Sequence, residues 1–414
     1  MLRRKTILLS STDRWSDVHL SKHNYALELV KSGNIVFFLN PPVSKKLKLG
    51  EVKITPTAID NLFEISYRAY FPMFIKFRLP WVFSELMKIQ AYLIRKKIKR
   101  KIDIVWDFNT HLLFSDLRLF NADINIFHAV DKINKKIKNK NADITFSVSH
   151  QILDMIESPD KPKIFLNHGL GSHFISAAKE NKTFTINNPL KACYVGNLLI
   201  HCLDHDILKT IIEKHPEVEF HFLGPYEKKG NPFVDSSSEG NFRFINFLKE
   251  QTNVIFHGTV KSSGVINIIK DFDIFLLCYK NSESFASDNS HKILEYLSTG
   301  KVVVSSYLKE YINKDFIVMC KEESAEEFNF LFTNVVENIC EFNSSVSSRE
   351  RINYALDHTY ERQLKKIEDA LILNSILKES INAQLNLNDE HINLESKKEK
   401  LKNSIIVKTY NSLD

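Results

Sequence analysis

The sequence predicts an α/β protein of two doubly wound halves facing across a cleft. Short apolar runs alternate with helical periodicity along most of the chain, the rhythm of parallel sheets covered by helices. That rhythm breaks once, near residues 180–189, and then restarts. The length, 414 residues, suits two domains of ordinary size.

In the first half, Thr6-Ile-Leu-Leu-Ser10 reads as a strand, and 21–32 as a helix stopped by Gly33. Ile35-Val-Phe-Phe-Leu39 is the second strand, closed by Pro41-Pro42. Further strands are expected at 102–106, 124–127, 144–147 and 163–166. In the second half they are expected at 191–195, 219–223, 253–256, 274–277 and 302–305, with Val318-Met319 a short addition. Helices are expected between them, notably over 203–215 and 290–299. The expected boundaries are 1–178 for the first domain and 179–350 for the second. A C-terminal helix over 351–378 packs back toward the first domain, and a polar Asn/Lys/Glu-rich tail fills 379–414. In such sheets ligands bind at the carboxyl ends of the strands.

Composition narrows the classes. Hydrophobic residues make up 43% of the chain, enough for sizeable cores, and the net charge of +6 is spread with both signs interspersed. That is not the pattern of a nucleic-acid binder. The five cysteines have no CxxC spacing, which predicts neither a disulfide framework nor a zinc site and suits a reducing cytoplasm. After the basic start only Ile7-Leu8-Leu9 is apolar, too short for a signal peptide. No run reaches the roughly 18 apolar residues of a membrane span. The expected location is cytoplasmic, or peripheral on the inner face of the cell membrane.

The most informative segment is Asn289-Ser-His-Lys-Ile-Leu-Glu-Tyr-Leu-Ser-Thr-Gly-Lys-Val-Val-Val-Ser305. A polar loop leads into a helix expected to begin near Ser290 and end at Gly300, with a strand directly after. The start of such a helix presents free N–H groups to an anion. Lys292 adds a charge there, and Glu295, one turn on, can accept both hydroxyls of a ribose. A phosphate grip and a ribose acceptor one turn apart describe a nucleoside diphosphate site.

This segment resembles the nucleotide-sugar-binding helix of the GT-B glycosyltransferases, whose two halves are Rossmann-like. It is closest to the bacterial polysaccharide enzymes of the family 1/4 type, with the pattern K-x-x-E-Y-L-x-x-G-K-x-V-V. The resemblance implies that Glu295 holds the ribose, and that Lys292 with the amides of Asn289, Ser290 and His291 holds the pyrophosphate. Tyr194-Val-Gly196-Asn197 resembles the family's Y-V-G-N-L turn, where glycine lets the backbone approach the donor. Phe222-Leu-Gly224-Pro225 resembles F-x-L-I-G-P. Asn253-Val-Ile-Phe-His-Gly258 resembles N-V-x-F-L-G, with Thr259 and Val260 in the loop that touches the base. Asp271-Phe-Asp273 resembles the A-D-V step into a strand, where the aspartate is structural. In the first half, Ser21 to Gly33, Ala142 to Ser149 and Lys163 to Phe174 also resemble family segments, so the likeness runs from about residue 5 to 375. It implies a UDP- or GDP-linked sugar donor, a glycan or lipid-linked acceptor, and no metal or other cofactor.

Two departures stand out. The Glu-x7-Glu of retaining members is absent: counting back eight from Glu295 reaches Ser287, with Asp288 next to it. The basic pair that follows the glycine turn is also missing, since that loop reads Leu198-Leu-Ile-His201-Cys-Leu-Asp204. Retention or inversion stays open. An inverting enzyme needs a general base in the first half. The pair in Phe127-His128-Ala-Val-Asp131 is best placed for it, so the base is Asp131 or His128, with Asp13 next. His23 reads as structural or acceptor-contacting.

A basic and aromatic stretch spans 67–101. Phe71, Phe74, Phe77 and Trp81 interleave with Arg68, Lys76 and Arg78, and Arg95-Lys-Lys-Ile-Lys-Arg-Lys101 follows. It suits an anionic bilayer surface; the plainer reading is a helix with one buried stripe and one solvated face. Two further functions use the same donor helix: a nucleotide-sugar epimerase, and a sugar-nucleotide-binding protein without catalysis.

Overall fold

The computed structural model describes residues 2–16, 19–43, 46–111, 113–180, 185–227, 239–280, 289–321 and 324–377. The elements of the first half are β1 (Thr6–Ser10), α1 (Ser21–Lys31), β2 (Ile35–Leu39), β3 (Val52–Pro56), β4 (Leu62–Tyr67), α2 (Ile75–Arg78), α3 (Pro80–Ile98), β5 (Ile104–Asp107), β6 (Ile124–Ala129), β7 (Ile137–Lys138), β8 (Ile144–Ser147), α4 (His150–Asp154), β9 (Ile156–Glu157), β10 (Lys163–Phe165) and α5 (Ser172–Lys179). The second half brings β11 (Leu190–Val195), α6 (His205–Lys214), β12 (Val218–Leu223), α7 (Glu239–Glu250), β13 (Val254–Gly258), α8 (Ser262–Ile269), β14 (Ile274–Leu277), α9 (Lys292–Leu297), β15 (Val302–Ser305) and β16 (Val318–Met319). Then come α10 (Ala325–Glu337), α11 (Ile339–Phe342), α12 (Ser345–Leu356) and α13 (Tyr360–Leu373).

Among the described residues the first sheet has eight strands in the order β10-β8-β6-β5-β1-β2-β4-β3, and the second has six in the order β13-β12-β11-β14-β15-β16. Every pairing in the second sheet is parallel. In the first, only β3 runs antiparallel, against β4. β1 pairs with both β2 and β5, and β11 with both β12 and β14. Each sheet therefore reverses its strand order at β1 and at β11, the positions where open α/β sheets bind ligands.

Central strands such as β5, β6, β8, β14 and β15 are buried along their whole length. This is why they read as continuous apolar runs rather than alternating ones. In α3 the buried residues Phe83, Met87, Gln90, Ala91, Ile94 and Ile98 form one stripe at helical spacing. Residues 365–377 form part of a separate compact unit and contain the end of α13, where Lys365 pairs with Asp369 at 2.9 Å.

Contacts between the loops at the strand carboxyl ends tie the two sheets together. Asn289 Nδ2 donates to the Val148 carbonyl (3.0 Å) and to Asn167 Oδ1 (2.8 Å). The His150 N–H donates to Glu310 Oε1 at 3.0 Å. His168, after β10, has Nε2 at 2.7 Å from the Asn289 carbonyl and Nδ1 at 3.0 Å from Ser21 Oγ. A carbonyl only accepts, so Nε2 carries the proton and Nδ1 accepts from Ser21. Burial lowers the ring's pKa to about 4, so it stays neutral.

Candidate functional site

In the second half, β11 and β12 are followed by Gly196 and Gly224, and β13 ends in Gly258. The Gly196 N–H donates to the Leu223 carbonyl (2.7 Å) and the Gly224 N–H to the Gly258 carbonyl (2.8 Å). Gly224 has φ +146°, and any side chain there would run into the Gly196 carbonyl. Gly196, at φ +158°, has no room either, because a Cβ would meet Lys292 Nζ and the Tyr194 hydroxyl. The sequence thus needs glycine at Gly196 and Gly224, where space is lacking, while Gly258 meets nothing and is favoured only by its φ of +67°. Asn197 Oδ1 accepts from the Leu199 N–H at 3.0 Å, shaping the turn after Gly196. Thr259 is exposed after β13, while Val260 packs against the core under α9.

The helix is shorter than its sequence pattern predicts. α9 covers six residues, Lys292–Leu297, with a turn continuing to Gly300, so a helix-dipole anion site at Ser290 is weak at most. Lys292 carries the positive charge instead. Its Nζ lies 3.2 Å from Tyr279 Oη, with the Tyr194 ring centroid at 5.1 Å. Burial pushes the Glu295 carboxyl up to about 7, with Lys292 pulling the other way. His291 Nε2 stands 3.8 Å from Glu295 Oε1. Asn289 spends its side chain on the first half, as above. Ser290 accepts from the Ile293 N–H at 3.1 Å. Ser287 and Asp288 lie outside the described residues.

In the first half, a polar cluster gathers at the carboxyl ends of β1 and β6. Thr12 Oγ1 lies 3.0 Å from Asp13 Oδ2 and 3.1 Å from Asp131 Oδ2. Lys22, at the start of α1, has a side chain only 2% exposed; it donates to Thr12 Oγ1 (2.6 Å), pairs closely with Asp13 and reaches Asp131 Oδ2 at 3.5 Å. Burial alone would raise Asp13, but Lys22 outweighs it and holds that carboxyl below its ordinary value. Asp131 is the more open of the two carboxylates, its side chain 44% exposed against 34% for Asp13.

His128 is not brought to this cluster. Its ring is fully buried among Tyr25, Trp106, Phe108 and Phe146, and neither nitrogen finds a hydrogen-bond partner. Burial drops its pKa to about 3. His128 lies on β6 and points into the packed layer, whereas Asp131 lies beyond the strand end. His23 is held at both nitrogens by backbone, from the Leu20 N–H (3.2 Å) and to the Arg14 carbonyl (2.9 Å), a structural role. Asp273 accepts from Asn187 and the Lys191 N–H and pairs with Lys301 at 3.4 Å, also structural. Sequence reading missed Lys22, Tyr279 and Tyr360. Tyr360 packs on Tyr25 with centroids 5.0 Å apart and fills the space beside Gly169.

No protein-family model matches the chain, and no curated protein matches it in sequence. Solved structures do match in shape. A glycosyltransferase from Rickettsia africae shares 15% identity, with 91% of this chain and 100% of that one covered and a TM-score of 0.62. Anabaena HepE in complex with UDP and glucose shares 11%, covering 89% and 99%, TM-score 0.59. The E. coli trehalose-6-phosphate synthase bound with UDP-2-fluoro glucose shares 10%, covering 88% and 98%, TM-score 0.64. At such identities the likeness is one of architecture: this chain has the GT-B fold of these glycosyltransferases, two Rossmann-like sheets joined at the carboxyl ends of their strands.

Proposed function

We propose that the chain is a glycosyltransferase that moves a sugar from a UDP- or GDP-linked donor to a hydroxyl of a glycan or lipid-linked saccharide, in surface polysaccharide synthesis. One observation carries this reading: Lys292 stands over Gly196, at the strand-order reversal of the second sheet, with Glu295 three residues further along α9, while two carboxylates stand at the reversal of the first. Lys292 receives the diphosphate, Glu295 the ribose hydroxyls, and Asp131 takes the proton of the attacking hydroxyl. Asp13, held ionised by Lys22, is the weaker base. The charge that a metal would supply at the diphosphate comes from Lys292.

Calorimetric titration with UDP and GDP tests the donor half of this reading. Glu295→Ala is expected to cost roughly 1.5–3 kcal/mol, the worth of hydrogen bonds to a charged acceptor. Lys292→Ala should weaken the diphosphate and flatten its salt dependence. Affinities equal to wild type in both variants would remove the donor from this helix. The site also carries a pH signature. Glu295 accepts both ribose hydroxyls at full strength only when ionised, and burial pushes its carboxyl up to about 7. Affinity should therefore be lost as pH falls through 7 and be complete above about 8, with roughly a tenth of the sites competent at pH 6. Glu295→Gln should abolish that dependence while leaving any titration of the nucleotide itself.

The second element of the reading is peripheral attachment to an anionic bilayer. On α2 and the start of α3, Phe74, Phe77, Leu79 and Trp81 are 56%, 81%, 49% and 72% exposed, a large apolar surface beside Lys76 and Arg78. Phe71 is excluded from it, being buried in the core. Lys96, Lys97, Lys99 and Arg100 are exposed at the far end of α3. Among the described residues no helix is long and apolar enough to cross a membrane. Co-sedimentation should show binding to phosphatidylserine vesicles, weaker binding to neutral ones, and release by salt, since each basic group contributes about 1 kcal/mol. Phe77→Glu with Trp81→Glu should abolish it. Equal recovery on both vesicle types would overturn it.

A further inference from the structure

The sequence lacks the basic pair that follows the glycine turn in similar proteins, and the structure shows a different arrangement around Lys292. Tyr279 follows β14 and Gly196 follows β11, so the two residues flank the strand-order reversal of the second sheet. Between them stands the Lys292 ammonium. It lies 3.2 Å from Tyr279 Oη, with the Tyr194 and Tyr279 ring centroids at 5.1 and 5.8 Å. Tyr194 is fully buried, and its hydroxyl and Lys292 Nζ converge over Gly196, where no Cβ fits. Tyr279 is itself fixed: its N–H donates to Ser306 Oγ at 3.0 Å, and it bridges to Leu203 across the chain.

Among the described residues no carboxylate lies within ion-pair distance of Lys292. Aromatic faces attract an ammonium without neutralising it, and one phenol oxygen engages only one of its three N–H donors. The result is a half-buried ammonium, held in place by one phenol oxygen and two aromatic faces, at the position where open α/β sheets take ligands. We propose that Tyr279 is the positioning residue that holds the Lys292 ammonium over Gly196 to receive the diphosphate of the nucleotide, in place of the missing basic pair. The inference rests on the donor-site reading above and adds to it the group that aims the cation.

The test uses the full chain and four probes: UDP, GDP, uridine and guanosine, measured by calorimetry or displacement. Tyr279→Phe keeps the ring and removes the hydroxyl. It is expected to weaken the better-bound diphosphate by roughly tenfold and leave the matching nucleoside within about twofold. Lys292→Ala should weaken the diphosphate more and the nucleoside little. The double variant should be no weaker than Lys292→Ala alone, because the hydroxyl acts only through the ammonium. Equal weakening of nucleoside and diphosphate by Tyr279→Phe would mean a general packing role and overturn the inference. So would a double variant that loses the full factor of both single changes. Those failures leave the donor site standing so long as Glu295→Ala still weakens binding. If Glu295→Ala and Lys292→Ala both bind as wild type does, or the wild type takes neither diphosphate, the donor site and the inference fall together.

Discussion

Replacing Asp131 with asparagine is expected to cut sugar transfer by roughly 10²–10⁴-fold while leaving nucleotide affinity nearly intact. Asparagine keeps the shape and one acceptor oxygen but cannot take a proton. Its place beside Thr12 and Lys22 would survive, so the loss would report chemistry rather than folding. Transfer from a panel of UDP- and GDP-sugars to a lipid extract and a glycan panel, read by mass spectrometry, measures it. Asp13→Asn should cost less, because Lys22 lies closer to Asp13 and makes it a poor proton acceptor. His128→Gln should alter stability before turnover, given the ring's burial. Full activity in both aspartate variants would move the chemistry to a retaining route, in which neither carboxylate takes the proton.

Lys140→Met is expected to destabilise the first half by about 3–5 kcal/mol, because it leaves a buried carboxylate uncompensated. Lys140 and Asp107 are each 1% exposed and 2.7 Å apart. Lys140 Nζ also bonds the Asn109 carbonyl and lies 4.7 Å from the Phe127 ring centroid. Asp107 uses its other oxygen on the Asn109 N–H at 3.0 Å. The pair therefore sets the loop that leaves β5, next to the strand that ends near Asp131. For a domain of this size the melting temperature should fall by roughly 6–20 °C. The double change Asp107→Asn with Lys140→Met should recover much of that fall, since no isolated charge remains. A single variant that melts as wild type does would show that solvent reaches the pair.

Much of this fold is legible in the sequence because fully buried parallel strands leave long apolar runs. β1, β2, β8, β14 and β15 lie where those runs are. The hairpin of β3 and β4 is less plain, since Val52–Pro56 mixes lysine, threonine and proline at a sheet edge. The strand-end glycines and α9 of the second half are local features and can be read locally. The polar groups that matter in the first half cannot. Lys22 sits in a helical pattern like any solvated lysine, and only the fold reveals that Thr12, Asp13 and Asp131 close around it. His128 and Asp131 are three positions apart and look alike as candidates. A strand buried on both faces gives no alternation to show which way a side chain points, so burial separates them only in three dimensions.

Asn289 has a consequence for how the two halves move. Its side chain is anchored to Val148 and Asn167, which precede it by 141 and 122 positions, while its own chain runs three residues on into Lys292. Its carbonyl holds His168, and His168 holds Ser21 at the head of the helix that carries Lys22. Asn289, His168 and Ser21 thus form one rod of buried, neutral hydrogen bonds between the two halves, and Lys292 and Lys22 are joined to its ends only along the chain. Such a rod has no gradual extension: its links are either made or exchanged for water. Separation of the sheets by rotation at this point would be a discrete event.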